Sequence, residues 1–488
     1  MSNKQNLKHK AISGAIWTGI QKYARMGITF VSGIVLARLL TPFDYGCIGM
    51  LSIFMVLSEA FIDGGFGAAL IQKKNPTQED YSTIFFWNIA MSIVIYAVLY
   101  FCAPAIARFY DTPLLRDVLR VQGLVLFIYA FNIIQQNQLR KNLNFKVIAI
   151  VTITASLISL GIAIILAYNG FGVWALVASN IISSLIPTVV YWFTIKWRPI
   201  WVFSTQSFKE LFGFGFYMFL THLINKFSQH LQGLLIGKVY NPSTMGYYSK
   251  AHGTESMASQ TVSSIMTQIT YPLYVKVQDD LVTMANMIKR LTTTIAYFSF
   301  PIMFILILTA APLFSLLYSD KWLPSVPYFQ ILCLAGLVNC LMTVNLQPIA
   351  AIGKSNVMFG WTILKRVVGI GAVVSGLFLW GMKGLLLGML VNSYFAYFVN
   401  ILLVSKYIGY SWQNQLKDLM PIAVASTIIA VICYSLGYFL RLNMYVDGII
   451  KLVLYVVLYI GWSFIFKPES YKYSLTIIPE RFRFWEKK

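Results

Sequence analysis

A chain of 488 residues that is 58% hydrophobic and 11% charged, with a mean hydropathy of +0.68, is a polytopic membrane protein and not an ordinary soluble domain. Its formal charge of +21 is scattered over short loops with no basic domain, which excludes nucleic acid as a partner and fits the positive-inside bias of a membrane protein. Five cysteines (Cys47, Cys102, Cys333, Cys340, Cys433) sit in or beside apolar runs without disulfide or metal spacing, so neither a metal nor a cofactor is expected.

Runs of about 20 apolar residues are long enough to cross a bilayer. Such runs lie near 11–36, 46–70, 81–103, 119–136, 147–168, 173–195, 210–236, 246–272, 287–311, 327–350, 357–380, 384–405, 419–440 and 448–466. No small-residue cleavage site follows the first run, which reads as a retained span. Placing the N-terminus inside puts 23 of the 38 lysines and arginines in inside segments and 10 in outside ones, so both termini are expected in the cytoplasm.

Span one carries charge where a membrane helix should not. Thr18, Lys22, Arg25, Thr29 and Ser32 recur at steps of four and three and share one helical stripe, with Ile20, Ile28, Phe30, Val31 and Ile34 on the other faces. A cation near the bilayer centre costs several kcal/mol and faces a bundle interior or a water-filled cavity. Ammonium and guanidinium groups both bind phosphate oxygens, so Lys22 and Arg25 suit a phosphate-bearing substrate; the plainer alternative is a structural pair satisfied by carbonyls or an acid on the next helix.

In span two Glu59 and Asp63 share a helix face. They read either as proton- or sodium-coupling groups or as internal counter-charges to Lys22 and Arg25. Span seven carries His222, Asn225, Lys226, Gln229, His230 and Gln232, with Glu255 in span eight, which favours a cavity wall over a lipid-facing surface. Two histidines without a third ligand nearby do not make a metal site. In span eleven Lys365 and Arg366 point about 100° apart, so at least one faces the interior, with Arg366 preferred.

An internal repeat at an offset of 200 sets Gly33, Pro42 and Gly46 on Gly233, Pro242 and Gly246, and Arg38 on Lys238. The polar stripe repeats with it: Lys22, Arg25, Thr29 and Ser32 fall on His222, Asn225, Gln229 and Gln232. A second echo, at offset 208, sets Ala103, Pro104 and Tyr110 on Ala311, Pro312 and Tyr318. Six spans separate the copies, so both keep one orientation and the repeat is parallel. The expected organisation is an N-terminal six-helix lobe (1–200), a C-terminal six-helix lobe (201–406), and a region (407–488) holding an interfacial segment, two extra spans and a basic cytoplasmic tail.

Catalytic and nucleotide-binding patterns are absent. Gly353-Lys354-Ser355 resembles the end of a P-loop, but Pro348 stands where its first glycine belongs. Every outside segment is short, which argues against a glycan polymerase or ligase. The abundance of cations in the spans argues against an exporter of cationic drugs.

Five stretches carry a family resemblance: RLLTPFDYG (38–46), GFGAALIQ (65–72), LRKNLNF (139–145), NPSTMGYYSKA (241–251) and DKWLPSVP (320–327). In their order and spacing the chain resembles the bacterial flippases for lipid-linked oligosaccharides, within the multidrug/oligosaccharidyl-lipid/polysaccharide exporter superfamily, and looks closest to the branch for colanic-acid- and teichuronic-acid-type repeat units. The resemblance implies an all-α protein of about fourteen transmembrane helices in the bacterial inner membrane that performs no covalent chemistry. Its substrate would be an undecaprenyl-diphosphate-linked repeat unit for O-antigen, capsule or exopolysaccharide, moved by alternating access. Membrane lipids, coupling protons or sodium ions, and polymerase and glycosyltransferase partners fit that role. The family's basic positions on the first helix match Lys22 and Arg25, whereas the seventh-helix match is off register, with Asn225 opposite Arg25 and Lys226 one residue on. The resemblance also implies a lipid-tail groove lined by the last two spans.

Overall fold

A computed structural model describes residues 2–440 and 442–471; the basic tail expected beyond them lies outside the described residues. These residues form helices α1 (Ser2–Leu39), α2 (Pro42–Asp63), α3 (Phe66–Gln72), α4 (Gln78–Phe109), α5 (Leu114–Gln122), α6 (Leu124–Lys141), α7 (Phe145–Tyr168), α8 (Val173–Thr194) and α9 (Thr205–Val239). There follow α10 (Pro242–Lys276), α11 (Leu281–Leu308), α12 (Ala310–Tyr318), a 3-10 turn (Asp320–Ser325), α13 (Val326–Asn339), α14 (Met342–Ala351), α15 (Ser355–Ile408), α16 (Trp412–Leu440) and α17 (Met444–Phe466). The protein is thus an all-α integral membrane protein.

Ten helical stretches among the described residues are long and apolar enough to cross a bilayer. One of them, Val357–Ile408, breaks at Trp380 and Gly381, where φ turns to +61° at the glycine, and becomes a hairpin of two spans. Its arms close tightly because Gly376 and Gly384 each occupy the place where the other's Cβ would meet a backbone carbonyl. Helices α1, α9 and α10 are long enough but too polar to belong to the ten, and they are the helices that carry the Lys22, His222 and Glu255 groups.

The repeat has a local chemical basis. Thr41 and Asp44 form a capping box at the start of α2, with Thr41 N–H donating to Asp44 Oδ2 (2.8 Å) and Pro42 at the first helical position. In the second copy Asn241 takes the capping role, its Oδ1 accepting from Thr244 N–H (2.8 Å), again followed by proline. Each cap contributes about 1 kcal/mol and fixes where the helix starts.

Packing and duplication divide the chain at different places. By packing it forms two compact units, Met1–Ser249 and Lys250–Lys488. Helix α9, the second copy of α1, therefore packs within the first unit, along α2, α3 and α4. Its first half docks through an aromatic cluster in which Phe66 lies 5.3 Å from Phe208, 5.9 Å from Trp87 and 6.1 Å from Phe212. Close approach is possible because Gly64 and Gly65 break the second span into α2 and α3, both at positive φ, and a Cβ on Gly65 would strike the Gly215 carbonyl.

Two of the stretches that carry the resemblance meet at the end of α3. The Lys141 ammonium donates to the carbonyls of Leu70 (3.0 Å), Ile71 (3.3 Å) and Lys73, covering the unsatisfied C-terminal carbonyls of α3. Beside it, Lys73 pairs with Asp80 (3.0 Å) and with Glu210 on α9 (3.0 Å). Partial burial alone would lower the Lys73 pKa, but the hydrogen bonds and charges of Asp80 and Glu210 hold it above its ordinary value.

In the second unit, α16 is continuous from Trp412, so residues 412–420 are its opening turns and not a separate interfacial helix. Gly409, at φ +88°, ends α15, and only residues 409–411 separate the two helices.

Candidate functional site

Helix α1 lies along α7. The contact uses Gly14, which leaves room for the Phe145 ring, and Gln21, whose Nε2 donates to Thr152 Oγ1 (3.2 Å). Lys22, Arg25 and Thr29 are exposed. Two permanent cations uncovered by protein in the middle of a membrane-length helix are stable only in contact with water or an anion.

The acids of α2 face α9 in antiparallel order. Ser52 Oγ and His230 Nδ1 are 3.2 Å apart, Glu59 lies in the field of Lys226, and Asp63 lies in that of His222 and Arg140. Asp63 Oδ1 also accepts from Gly67 N–H (3.2 Å), the glycine leaving room for both Asp63 and Asn137. Tyr129 stands beside Glu59, Asp63 and Arg140. The structure thus sets Lys226, His222 and Arg140 as basic neighbours of the two acids. Of the sequence-derived α9 groups, Gln229 is exposed like His222 and Lys226, while Asn225 is half-buried.

Glu59 is half-buried and Lys226 exposed, so solvent screens their attraction to about 1 kcal/mol or less, and reversing one charge turns it into repulsion. Glu59→Lys alone and Lys226→Glu alone are therefore expected to lower polysaccharide export, and the exchanged pair to recover it, with folded protein in all three. Monodispersity in detergent and surface polysaccharide in complemented cells check both; an exchanged pair that folds but does not export would make Glu59 more than a counter-charge.

A cavity of about 250 Å³ lies inside the first unit, lined by Ser52 and Glu59 of α2, Gln122 of α5, and Asn180, Ser183 and Ser184 of α8. Gln122 Oε1 is buried without a hydrogen-bond partner in the described structure. Sequence reading missed Gln122, Asn180, Asn137, Tyr129 and Arg140. Gln122, Tyr129 and Asn180 are polar residues among apolar ones, Asn137 and Arg140 belong to the polar end of α6, and only the helix packing brings them to the acids.

In the second unit Lys365 donates to Asn400 Oδ1 (2.9 Å), a side chain 2% exposed on the other arm of the α15 hairpin. Arg366, half-buried, points elsewhere by the helical twist. Glu255 is buried (5% exposed) between α10, α11 and α13. Near it on α10, the Lys250 ammonium lies 4.0 Å from the Tyr318 ring centroid and 5.6 Å from that of Trp322, which joins the NPSTMGYYSKA and DKWLPSVP stretches. Helices α16 and α17 line a groove of about 910 Å³ with Ile422, Ile428, Ile432, Trp462 and Phe466. Its mouth is charged: Asp418 and Glu469 both pair with Lys289, at 3.3 and 3.2 Å, and Lys417 stands beside them.

Residues 35–327, more than half of the chain, match the family described as "Polysaccharide biosynthesis protein". The teichuronic acid biosynthesis protein TuaB of Bacillus subtilis (strain 168) is 26% identical over 358 residues, 73% of this chain and 74% of that protein. The lipopolysaccharide biosynthesis protein WzxC of Escherichia coli (strain K12) is 23% identical over 451 residues, 89% of each. Among solved structures, the lipid II flippase MurJ in an inward closed conformation matches with a TM-score of 0.72 at 15% identity, over 93% of this chain and 98% of that one, a likeness of fold. With its motifs, its duplicated helix starts and more than half its length matched, the chain belongs to the polysaccharide biosynthesis protein family of membrane proteins.

Proposed function

We propose that the protein is a flippase that carries a diphosphate-linked oligosaccharide repeat unit on a polyprenyl lipid from the inner to the outer leaflet of the bacterial cytoplasmic membrane, by alternating access. The observation that carries this reading is the pair of uncovered cations on α1, Lys22 and Arg25. A diphosphate is the anion such a pair fits, since guanidinium binds phosphate oxygens in a fork and ammonium adds a point charge. Arg366, a half-buried guanidinium of the second unit, is a further candidate for binding phosphate oxygens. The exposed His222, Lys226 and Gln229, with Thr29 and Asn225, are polar enough to meet sugar hydroxyls. The α16–α17 groove, apolar along its length and charged at its mouth, suits a polyprenyl tail. Both chain ends lie in the cytoplasm in this reading, and a polymerase outside receives the product.

The test is the leaflet distribution of lipid-linked repeat units in cells lacking the protein. Single repeat units held in the inner leaflet are expected. Units that reach the outer leaflet and stay unpolymerised would instead mean a polymerase, and unchanged pools would mean export of something else.

A further inference from the structure

We propose that Glu255 is the proton-carrying group of the transport cycle, while Glu59 and Asp63 serve as partners of the basic side chains turned toward them. The inference deepens the flippase reading and rests on it. The three acids have different surroundings. Glu59 faces Lys226, and Asp63 faces His222 and Arg140 and accepts a backbone N–H, so each has a basic side chain turned toward it. Glu255 is buried more deeply, at 5% exposure, and its partner is the neutral hydroxyl of Ser259 on its own helix. Its side chain enters a notch left by Gly336 of α13, where a Cβ would lie 2.8 Å from Oε1, and Met303 of α11 closes the same notch with its sulfur 3.1 Å from that point. Oε1 has no hydrogen-bond partner among the described residues.

The titratable groups set against it are the thiols of Cys333 and Cys340, from α13 and its end; α11 contributes Met303, and α10 itself contributes the Ser259 hydroxyl. The ammonium of Lys250 is directed at the Tyr318 ring. A carboxylate enclosed by sulfur and hydrocarbon, with one hydroxyl for a partner, carries a desolvation cost of several kcal/mol, and binding one proton removes the charge. The step is complete in itself: the carboxylate takes up a proton when the notch opens to water on one side and releases it when it opens on the other. Sodium fits less well, because a hard cation seeks several oxygens and this pocket supplies chiefly sulfur. Burial among α10, α11 and α13 therefore ties the protonation of Glu255 to how those helices pack.

The experiment is infrared difference spectroscopy of the purified full-length protein in phospholipid nanodiscs as pH is varied, read at the C=O stretch of a protonated carboxyl. Wild type is expected to show the band, Glu255→Gln to lose it, Glu59→Gln to retain it, and Glu255→Asp to restore it at a shifted frequency. Complemented cells carrying Glu255→Gln are expected to lose export while holding normal amounts of inserted protein. A band untouched by Glu255→Gln, or lost on Glu59→Gln, overturns the assignment, as does normal export by Glu255→Gln. The band is read without substrate, so its outcome is separate from that of the leaflet experiment, which alone decides the flippase reading.

Discussion

Cells whose only copy of the protein carries Lys22→Gln together with Arg25→Gln are expected to export no surface polysaccharide while inserting normal amounts of the protein. The two halves of that result have separate causes. Insertion survives because both side chains are exposed, so no packing is lost, and because a charge at the centre of a membrane helix opposes insertion by roughly 3 kcal/mol, a cost the substitutions remove. Export fails because hydrogen bonds to charged groups contribute about 1.5–3 kcal/mol each, and losing two of them weakens headgroup binding by roughly two to four orders of magnitude. The single variants are expected to fall between, with Arg25→Gln the more severe because only guanidinium grips phosphate in a fork. For the same reason Arg25→Lys should recover part of the export. Quantified surface polysaccharide beside immunoblots of the membrane fraction checks the series, and normal export by the double variant would remove the diphosphate site from α1.

What the sequence disclosed and what it withheld follow from the range of the interactions involved. Helix starts were legible because they are local: Thr41 and Asp44, and Asn241 and Thr244, are three residues apart and cap their own helices. The stripe of Lys22, Arg25 and Thr29 was legible because helical periodicity needs no partner. The neighbours of Glu59 and Asp63 were not, since Lys226 and Arg140 lie far away in the chain and meet the acids only through packing. The duplication even misdirects there: aligned on it, Asn225 and not Lys226 stands opposite Arg25, while the α2–α9 crossing selects Lys226. The break at Gly64–Gly65 was visible as a glycine cluster, but its consequence, the approach of Gly215, is a tertiary fact. The opening of α16 reads two ways in sequence, because a mixture of aromatic and charged residues suits both an interfacial helix and the first turns of a membrane span.

The duplication itself makes the most severe structural prediction. A Cβ on Gly46 would fall on the carbonyl of Pro242, and a Cβ on Gly246 on the carbonyl of Pro42. The contact is reciprocal, so each copy's proline-started helix presents its first turn to the other's glycine, as across a two-fold axis. Backbone carbonyls at a capped helix start cannot swing aside as side chains do. Overpacking costs about 1–3 kcal/mol even where side chains can yield, so Gly46→Val and Gly246→Val should each cost more and leave little folded protein. Elsewhere in a helix, replacing glycine by alanine gains up to about 1 kcal/mol. Gly161→Ala and Gly253→Ala, at positions where nothing lies within 4 Å of the new atom, should therefore be neutral or stabilising. Fluorescence-detected size exclusion of the solubilised variants reads all four. Equal loss at Gly46 and Gly246 beside intact controls is the result that a two-fold contact requires, because each substitution opens the same pair of helix starts from opposite sides. If either valine variant stayed monodisperse while the other was lost, the two starts would differ in how closely their backbones meet, and the matching motifs would not be held by a shared contact.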